Sequence, residues 1–266
     1  MVYVSSLRTK RAEEQKIVGE FFEALYRDDF RMYLQPKFIL GERHVYGAEA
    51  LARWKRPDGT ILPPAYFMDS LEKIGYITEL DFYIFEEVLK TLDKWKRQKR
   101  RKLVVSTNFS GRHFDTDGEE FLGRIQHIFS KYTVPAEYIE IEVTEGVLVK
   151  NVHVLERCMK RLHEIGFRVS IDDFGTGYSS LSVLADMPAD VVKIDKSFIN
   201  KDMNGKKMEL LYEIGRMVKI LQKDIIIEGV ETEKQEKLLI NGGFTCGQGY
   251  LCNRPIPIGE FERLYL

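Results

Sequence analysis

Hydrophobic positions repeat with two different periods along this chain of 266 residues. Near the N-terminus, Ile17, Phe21 and Leu25 recur at helical spacing with charged residues between them, which predicts a helix over residues 9–29. The period then changes, and residues 31–40 and 45–54 are predicted to form two strands. The connection between them is so short that the two strands must run antiparallel.

Pro36 interrupts the first of these strands. Proline has no backbone N–H to donate to a sheet, so within strands it is confined to edges, first positions and bulges. We therefore expect the first strand to lie at a sheet edge or to contain a bulge.

From residue 64 onward, predicted helices and strands alternate. Strands are expected at residues 103–108, 138–143, 167–172, 191–194, 224–228 and 244–251. Helices are expected at residues 64–74, 78–98, 118–131, 151–165, 205–221 and 232–240, with short helices before residue 191 and at the C-terminus. Eight strands, of which seven can be parallel, favour one α/β domain: a (β/α)8 TIM-like barrel with one antiparallel strand near the N-terminus. A doubly wound open sheet is the alternative.

Composition and charge narrow the function classes. Hydrophobic residues make up 44% of the chain, which excludes wholesale disorder. The 40 basic and 41 acidic residues give a net charge of −1, so no overall field attracts a nucleic acid polymer or an anionic membrane. The basic run at residues 94–102 is predicted to be the solvated end of a helix. No apolar run is long enough to span a membrane, and no secretory signal is predicted. The three cysteines are expected to be buried free thiols in a reducing cytoplasm.

Polar residues collect at the predicted strand ends. In a barrel of this kind, the carboxyl ends of the strands form the active-site mouth. The residues expected there are Glu49, Asn108, Glu142, Asp172, Asp173, Lys193, Asp195, Glu228 and Gln248. Clustered carboxylates raise each other's pKa unless a cation is present. A set of oxygen ligands without histidine or cysteine favours Mg²⁺ or Mn²⁺, and the acids suffice for two ions, as in phosphoryl chemistry.

Two adjacent acids, Asp172 and Asp173, precede Gly175 and Gly177. Neighbouring residues of an extended strand point in opposite directions. We expect both carboxylates to reach the mouth because the strand ends at this point. The glycines permit tight turns in the loop that follows.

Short motifs follow one another along residues 30–258, nearly the whole chain. They are Gln35-Pro36, Glu49-Ala50-Leu51 with Arg53-Trp54, Asn108-Phe109-Ser110, Glu142-Val143-Thr144-Glu145, Asp172 to Gly177, Lys193-Ile194-Asp195, Glu228 to Thr232 and Gln248-Gly249-Tyr250. Together, and in this order, these motifs resemble the EAL domain, a family of cyclic di-GMP phosphodiesterases. The resemblance implies a barrel with one antiparallel strand that hydrolyses cyclic di-GMP to linear pGpG.

The resemblance also implies roles for single residues. One ion is expected on Glu49, Asn108, Glu142 and Asp172, and a second on Asp172, Asp173 and Glu228. Water between the ions is the implied nucleophile, and Lys193, Glu228 and Asp173 are expected to carry the catalysis. The substrate-binding set is Gln35, Leu51, Arg53, Asp195 and Gln248, of which Asp195 is also expected to support Lys193 or the second ion. Glu145 is expected to anchor the loop that follows Asp173.

The expected partners are cyclic di-GMP, a second copy in a homodimer, and an upstream sensory or GGDEF-type domain. Residues 1–29 are expected to connect that domain to a barrel at residues 30–266. Lys37 stands where the family usually has an aliphatic residue. It adds positive charge near the substrate if it points to the mouth, and it has no effect on the substrate if it lies on the outer face. The alternatives are a receptor that binds cyclic di-GMP without cleaving it and a different metal-dependent barrel enzyme, such as an enolising lyase.

Overall fold

The computed structural model describes residues 15–177, 181–199 and 205–266. The strands of this part are β1 (Phe30–Ile39), β2 (Val45–Lys55), β3 (Ile61–Leu62), β4 (Val104–Phe109), β5 (Ile139–Thr144), β6 (Arg168–Phe174), β7 (Val191–Ile194), β8 (Asp224–Ile227), β9 (Cys246–Gln248) and β10 (Ile256–Pro257). All eight predicted strands are present. The two-residue strands β3 and β10 were not predicted, because neither is long enough to show a hydrophobic period.

Eight strands close into a ring in the order β1, β2, β4, β5, β6, β7, β8 and β9. β1 pairs antiparallel with both β2 and β9, and every other pair in the ring is parallel. The predicted TIM-like barrel with one antiparallel strand is confirmed. The open-sheet alternative is wrong, because β1 bonds to β9 and leaves the ring without an edge.

Pro36 lies inside the ring, so the expectation of an edge strand is wrong. One side of β1 pairs first with β10, at residues 33–34, and then with β9, from Lys37 onward. Pro36 lies between these two paired stretches. Its missing N–H therefore removes no hydrogen bond on that side. A bulge does lie next to this segment, but not in the first strand as expected: the pairing of β1 with β2 shifts between Lys37 and Phe38, and the extra residue, Tyr46, is in β2.

Helices cover the outside of the ring. They are α1 (helical from residue 15 to 26), α2 (Met68–Ile74), α3 (Ile77–Arg97), α4 (Glu119–Phe129), α5 (Val147–Lys150), α6 (Val152–Ile165), α7 (Leu181–Asp186), α8 (Lys206–Ile220), α9 (Glu233–Asn241) and α10 (Ile258–Tyr265). Short 3-10 helices occupy Pro64–Tyr66, Gly111–Phe114, Ala136–Tyr138 and Lys196–Ile199. In α3, Leu80, Ile84 and Val88 form a buried stripe at four-residue spacing. Through this stripe α3 packs against the barrel strands.

Helix α1 packs on the barrel through its apolar face. Ile17, Phe21 and Ala24 are buried, and the Phe21 ring lies 5.6 Å from the ring of Phe30 at the start of β1. The first part of the predicted helix, residues 9–14, lies outside the described residues.

The basic run at residues 94–102 spans the last turn of α3 and the connection to β4. It therefore lies at the amino end of β4, away from the mouth, and its seven basic side chains are exposed. Of the three free cysteines only Cys158 is fully buried; Cys246 and Cys252 are partly exposed, so the expectation of burial is wrong for these two. Across the described ranges, no helix is long and apolar enough to cross a membrane.

Candidate active site

The predicted polar residues meet at one end of the barrel, where the parallel strands end. Asn108 in β4 is the register partner of Glu142 in β5, so neighbouring strands deliver their side chains at one level. The buried side chains of Glu49 of β2, Asp172 of β6 and Lys193 of β7 meet at the same end of the barrel. Side chains alternate along a strand, so residues two apart point to the same inner face.

The ammonium group of Lys193 lies at the centre of four carboxylates. Its Nζ is 2.8 Å from Glu142 Oε2, 2.9 Å from Glu228 Oε1, 3.0 Å from Asp172 Oδ1 and 3.3 Å from Glu49 Oε2. Lys193 is completely buried. One ammonium therefore faces four acids, and the surplus of acidic groups makes the cluster a favourable place for further positive charge.

The carboxylates form two overlapping groups. In the first, ligand oxygens of Glu49, Glu142 and Asp172 lie within 4.8 Å of one another. In the second, the same limit holds for Asp172, Asp173 and Glu228. Asp172 belongs to both groups. The geometry therefore suits two neighbouring divalent ions that share one carboxylate.

Two side-chain amides fix Glu49. Asn108 Nδ2 donates to Glu49 Oε1 at 2.6 Å, and the Gln248 amide donates to Glu49 Oε2. Gln248 Nε2 also lies 3.3 Å from Gln35 Oε1. The donor set thus consists of carboxylates and amides, which are hard oxygen ligands of the kind that Mg²⁺ and Mn²⁺ prefer. The residues present fit such ions.

Glu142 is held ionised by two buried cations. Burial alone would raise its pKa, but the ammonium groups of Lys193 and Lys37 outweigh burial and lower the pKa of Glu142 to about 2. Burial likewise lowers the pKa of Lys193, yet the surrounding carboxylates raise that pKa well above its ordinary value. Both groups therefore remain charged at neutral pH.

The other acids of the cluster shift the opposite way. Burial raises the pKa of Asp172 well above its ordinary value, and the neighbouring charge of Glu228 adds to the effect of burial although Lys193 opposes it. Burial also raises the pKa values of Glu228 and Asp173. The positive charge of Lys193 is too small to offset burial and the repulsion among these acids. A bound divalent ion would lower the pKa of each.

Asp173 reaches the mouth by a different route from the predicted one. Strand β6 does not end at Asp172 but continues to Phe174. Asp173 has a left-handed φ of 55°, and pairing with β7 is irregular between Ile171 and Phe174. Its N–H donates to Asp172 Oδ1 at 2.9 Å. The reversed backbone at Asp173, not a strand end, turns both carboxylates toward the mouth.

Glu145 binds the loop that follows β6. Its Oε2 accepts from the backbone N–H of Gly175 at 2.8 Å and of Gly177 at 3.0 Å, and its own N–H donates to Asp172 O at 2.9 Å. Gly175 has a φ of +97°, and a Cβ there would lie 2.3 Å from the Phe198 ring. No larger residue fits this turn without displacement. The loop continues into residues 178–180, which lie outside the described part.

The predicted substrate residues surround the cluster at different depths. Arg53 is partly buried, donates from Nη1 to Ala52 O at 2.8 Å and lies 5.5 Å above the Tyr33 ring. Leu51 is half-exposed. Asp195 Oδ1 accepts from Ser197 N at 2.8 Å. Among the described residues, Asp195 forms no direct ion pair with Lys193; its expected support of Lys193 or of the second ion stays a prediction.

Lys37 occupies neither of the two positions that its sequence allowed. It points into the barrel below the mouth and is 1% exposed. Its Nζ lies 2.8 Å from Glu140 Oε1 and 2.8 Å from Glu142 Oε1. The buried pair of Lys37 and Glu140 was not predicted. The sequence signal that could have indicated it is the spacing: Lys37 lies two residues from Gln35, and Glu140 two residues from Glu142, so each shares a strand face with a site residue.

The family model described as "EAL domain" matches residues 19–255. The chain is 37% identical over 245 residues to "Signaling protein YkoW" of Bacillus subtilis, an alignment that covers 92% of this chain and 30% of that protein. It is 32% identical over 263 residues to "Cyclic di-GMP phosphodiesterase NbdA" of Pseudomonas aeruginosa, with 97% of this chain and 33% of that protein covered.

A solved structure gives the same architecture. The "PaMucR Phosphodiesterase, c-di-GMP complex" superposes with a TM-score of 0.86 at 28% identity, covering 92% of this chain and 99% of that chain. The present chain spans only about a third of the length of the two curated relatives. Those relatives therefore contain other segments besides the barrel.

Proposed function

This chain belongs to the EAL domain family, and on that premise we propose that it hydrolyses cyclic di-GMP to linear pGpG in a reaction that needs two divalent ions. The observation that carries the proposal is the cluster of four carboxylates around Lys193 Nζ. The NbdA relative is named a cyclic di-GMP phosphodiesterase, and the MucR structure is a complex with that compound. Both names support the same substrate here.

The two carboxylate groups divide the ions between them. We assign Glu49, Asn108, Glu142 and Asp172 to one Mg²⁺ or Mn²⁺ ion and Asp172, Asp173 and Glu228 to the other. The observed grouping of the carboxylates supports this division. Bound divalent ions supply charge neutralisation for the phosphate and a more acidic water as the nucleophile.

Residues of the chain then position the reacting groups. Hydrolysis adds a water oxygen to one phosphorus and breaks its bond to a ribose 3′ oxygen, which leaves and takes up a proton. Lys193 remains charged and is placed to orient the attacking water or to stabilise the developing charge on the phosphate. Arg53 and Gln35 lie at the rim of the cluster, where a guanidinium and an amide can donate to phosphate oxygens.

The remaining assignments concern support and regulation. We propose that Glu145 fixes the loop after Asp173, since it accepts two hydrogen bonds from that loop. Leu51, Asp195 and Gln248 are assigned to substrate contact, and Gln248 also holds Glu49 through its amide. A homodimer and an upstream sensory or GGDEF-type domain joined through residues 1–29 complete the proposal, and the greater length of the relatives supports the latter.

The test is to incubate the purified chain with cyclic di-GMP and Mg²⁺ or Mn²⁺, with an EDTA control, and to separate the products by chromatography. Ion-dependent appearance of pGpG supports the proposal. If the chain binds cyclic di-GMP without hydrolysing it, the measurement is repeated with the chain fused to a dimerising partner. Binding without turnover in both forms assigns the chain to the receptor alternative. Neither binding nor turnover would show that cyclic di-GMP is the wrong substrate.

A further inference from the structure

The interior of the barrel contains a buried ion pair that the proposed reaction does not use. Lys37 of β1 points inward one layer below Gln35, and Glu140 of β5 points inward one layer below Glu142. Lys37 is 1% and Glu140 3% exposed. The interior of a TIM-like barrel is ordinarily filled by branched apolar side chains. A charged pair in this layer needs its own explanation.

The two oxygens of Glu142 have different partners. Oε1 accepts from Lys37 Nζ at 2.8 Å, and Oε2 accepts from Lys193 Nζ at 2.8 Å. Lys193 belongs to the carboxylate cluster at the mouth, so Oε2 is the oxygen that faces Glu49 and Asp172. Because Glu142 is fully buried, water does not compete for either oxygen.

Lys37 is itself fixed from the other side. Its second partner is Glu140 Oε1, also at 2.8 Å, and Glu140 Oε2 lies 4.0 Å from Arg168 Nε. Charges of alternating sign therefore run from Arg168 through Glu140, Lys37 and Glu142 to Lys193. A chain of this kind holds each member in one orientation, because turning any one of them away leaves a buried charge unpaired.

We propose that Lys37 is a positioning residue for the ion site: it holds Glu142 Oε1 from below and so presents Oε2 alone to the ion. Glu140 keeps Lys37 in place for this task. Partners that orient a ligand usually change metal affinity by 10- to 100-fold when they are removed. The inference rests on the proposed ion site but not on the identity of the substrate.

The test measures Mn²⁺ binding to the purified chain by isothermal titration calorimetry in the absence of nucleotide. Lys37→Met keeps most of the length of the side chain and removes its charge, and it should weaken Mn²⁺ binding by about 10- to 100-fold. Lys223→Met is the matched control. It removes another buried ammonium, which donates to the backbone oxygens of Met187 and Ala189 away from the carboxylate cluster, so Mn²⁺ affinity should stay within about threefold of the parent chain.

A double variant separates positioning from fold stability. Lys37→Met leaves Glu140 buried without its cation, so this variant should also melt at a lower temperature. Lys37→Met combined with Glu140→Leu removes both charges and should recover most of the melting temperature, while Mn²⁺ binding stays weak. If the single variant does not fold, the double variant carries the test.

The outcomes are separable from the proposed reaction. Parental Mn²⁺ affinity in the folded Lys37→Met chain or in the double variant would overturn the positioning role, whatever the hydrolytic activity. Weak binding in both variants and parental binding in Lys223→Met supports that role, even if cyclic di-GMP is not the substrate. If the parent chain binds no Mn²⁺, both the positioning role and the proposed ion site are wrong.

Discussion

At the scale of single residues, Lys193 supplies positive charge that divalent ions also supply. Lys193→Met should lower the free energy of unfolding in EDTA by about 3–5 kcal/mol, because it leaves buried carboxylates without a counter-charge. Mn²⁺ can replace part of that charge. The rise in melting temperature on adding Mn²⁺ should therefore be larger in the variant than in the parent chain, while hydrolysis is lost.

Lys223 provides a matched control for that prediction. It is also buried, but its Nζ donates to the backbone oxygens of Met187 and Ala189 at 2.6 and 3.0 Å, away from the carboxylates. Lys223→Met should destabilise the chain without changing the response to Mn²⁺. Equal Mn²⁺ responses in the two variants and the parent would contradict the central role given to Lys193.

Glu49 is the second residue on which the site depends. It offers an oxygen to the first ion group and is held by Asn108 and Gln248. Glu49→Ala should abolish hydrolysis under Mg²⁺, since one ligand is removed and two amides lose their acceptor. The measurement is pGpG formation at saturating Mg²⁺, with circular dichroism to show that the fold is kept. Full activity would refute the metal assignment.

Single residues also mark the limit of what the sequence could predict. Most mouth residues could be predicted because they fall at the ends of predicted strands, whereas Glu49, which lies within its predicted strand, followed from its motif. Lys37 was assigned no definite place. Lys37 pairs with Gly47 ahead of the bulge and lies two residues from Gln35 on the same face of β1. Its burial against Glu140 of β5 depends on how the strands close into the ring, which leaves no period in the sequence.

At the scale of elements, strand identity followed from hydrophobic period, but strand ends and bulges did not. Seven of the ring strands contain at least four residues with apolar side chains among them, whereas β9 (Cys246–Gln248) is a short part of the longer strand predicted at residues 244–251. The extension of β6 past Asp172 depends on a left-handed residue, Asp173, that ordinary strand patterns do not include. Pro36 was predicted at an edge because the change of partner from β10 to β9 cannot be read from sequence.

The loop after β6 gives a prediction at this scale. Glu145→Ala removes the acceptor for the N–H groups of Gly175 and Gly177. Activity should fall at least about tenfold while the stability of the whole chain falls by about 1–3 kcal/mol, as expected for two lost hydrogen bonds. Hydrogen exchange at the two glycine amides should accelerate.

Glu164→Ala serves as the control for this variant. Glu164 is exposed on α6 and pairs with Arg161 at 2.5 Å. Its removal should change neither activity nor the exchange of the loop amides, because exposed ion pairs contribute little. Unchanged glycine exchange in Glu145→Ala would show that the loop does not depend on Glu145.

At the scale of the whole molecule, a net charge of −1 conceals two ends of opposite character. The mouth carries the carboxylate cluster, and the exposed basic run at residues 94–102 lies at the amino end of β4. The basic run is therefore badly placed to attract an anionic substrate to the mouth. Ions bound in the cluster would reverse the local charge, so we expect ion binding to favour substrate binding.

This charge balance sets how stability depends on pH. In the ion-free chain, the pKa values of Asp172, Glu228 and Asp173 are raised above those of the unfolded chain. Between the unfolded and folded pKa values, the folded state then binds more protons, so its stability falls as pH rises. Glu142, with a lowered pKa of about 2, contributes stability that is fully present above its unfolded pKa and is lost only as pH falls toward 2.

Divalent ions should reverse the sign of that dependence. They bind the ionised carboxylates, so their stabilisation grows as protons leave. Melting temperatures measured between pH 5 and 8 should fall with rising pH in EDTA and rise with pH in excess Mn²⁺. Glu228→Gln removes one of the titrating acids, and its slope in EDTA should be shallower than that of the parent chain. The difference in slope between the parent chain and Glu228→Gln reports the titration of the cluster, because all other titrating groups are the same in both. Equal slopes in EDTA would mean that Glu228 does not change its protonation between pH 5 and 8 without metal, which would contradict its part in this pH dependence.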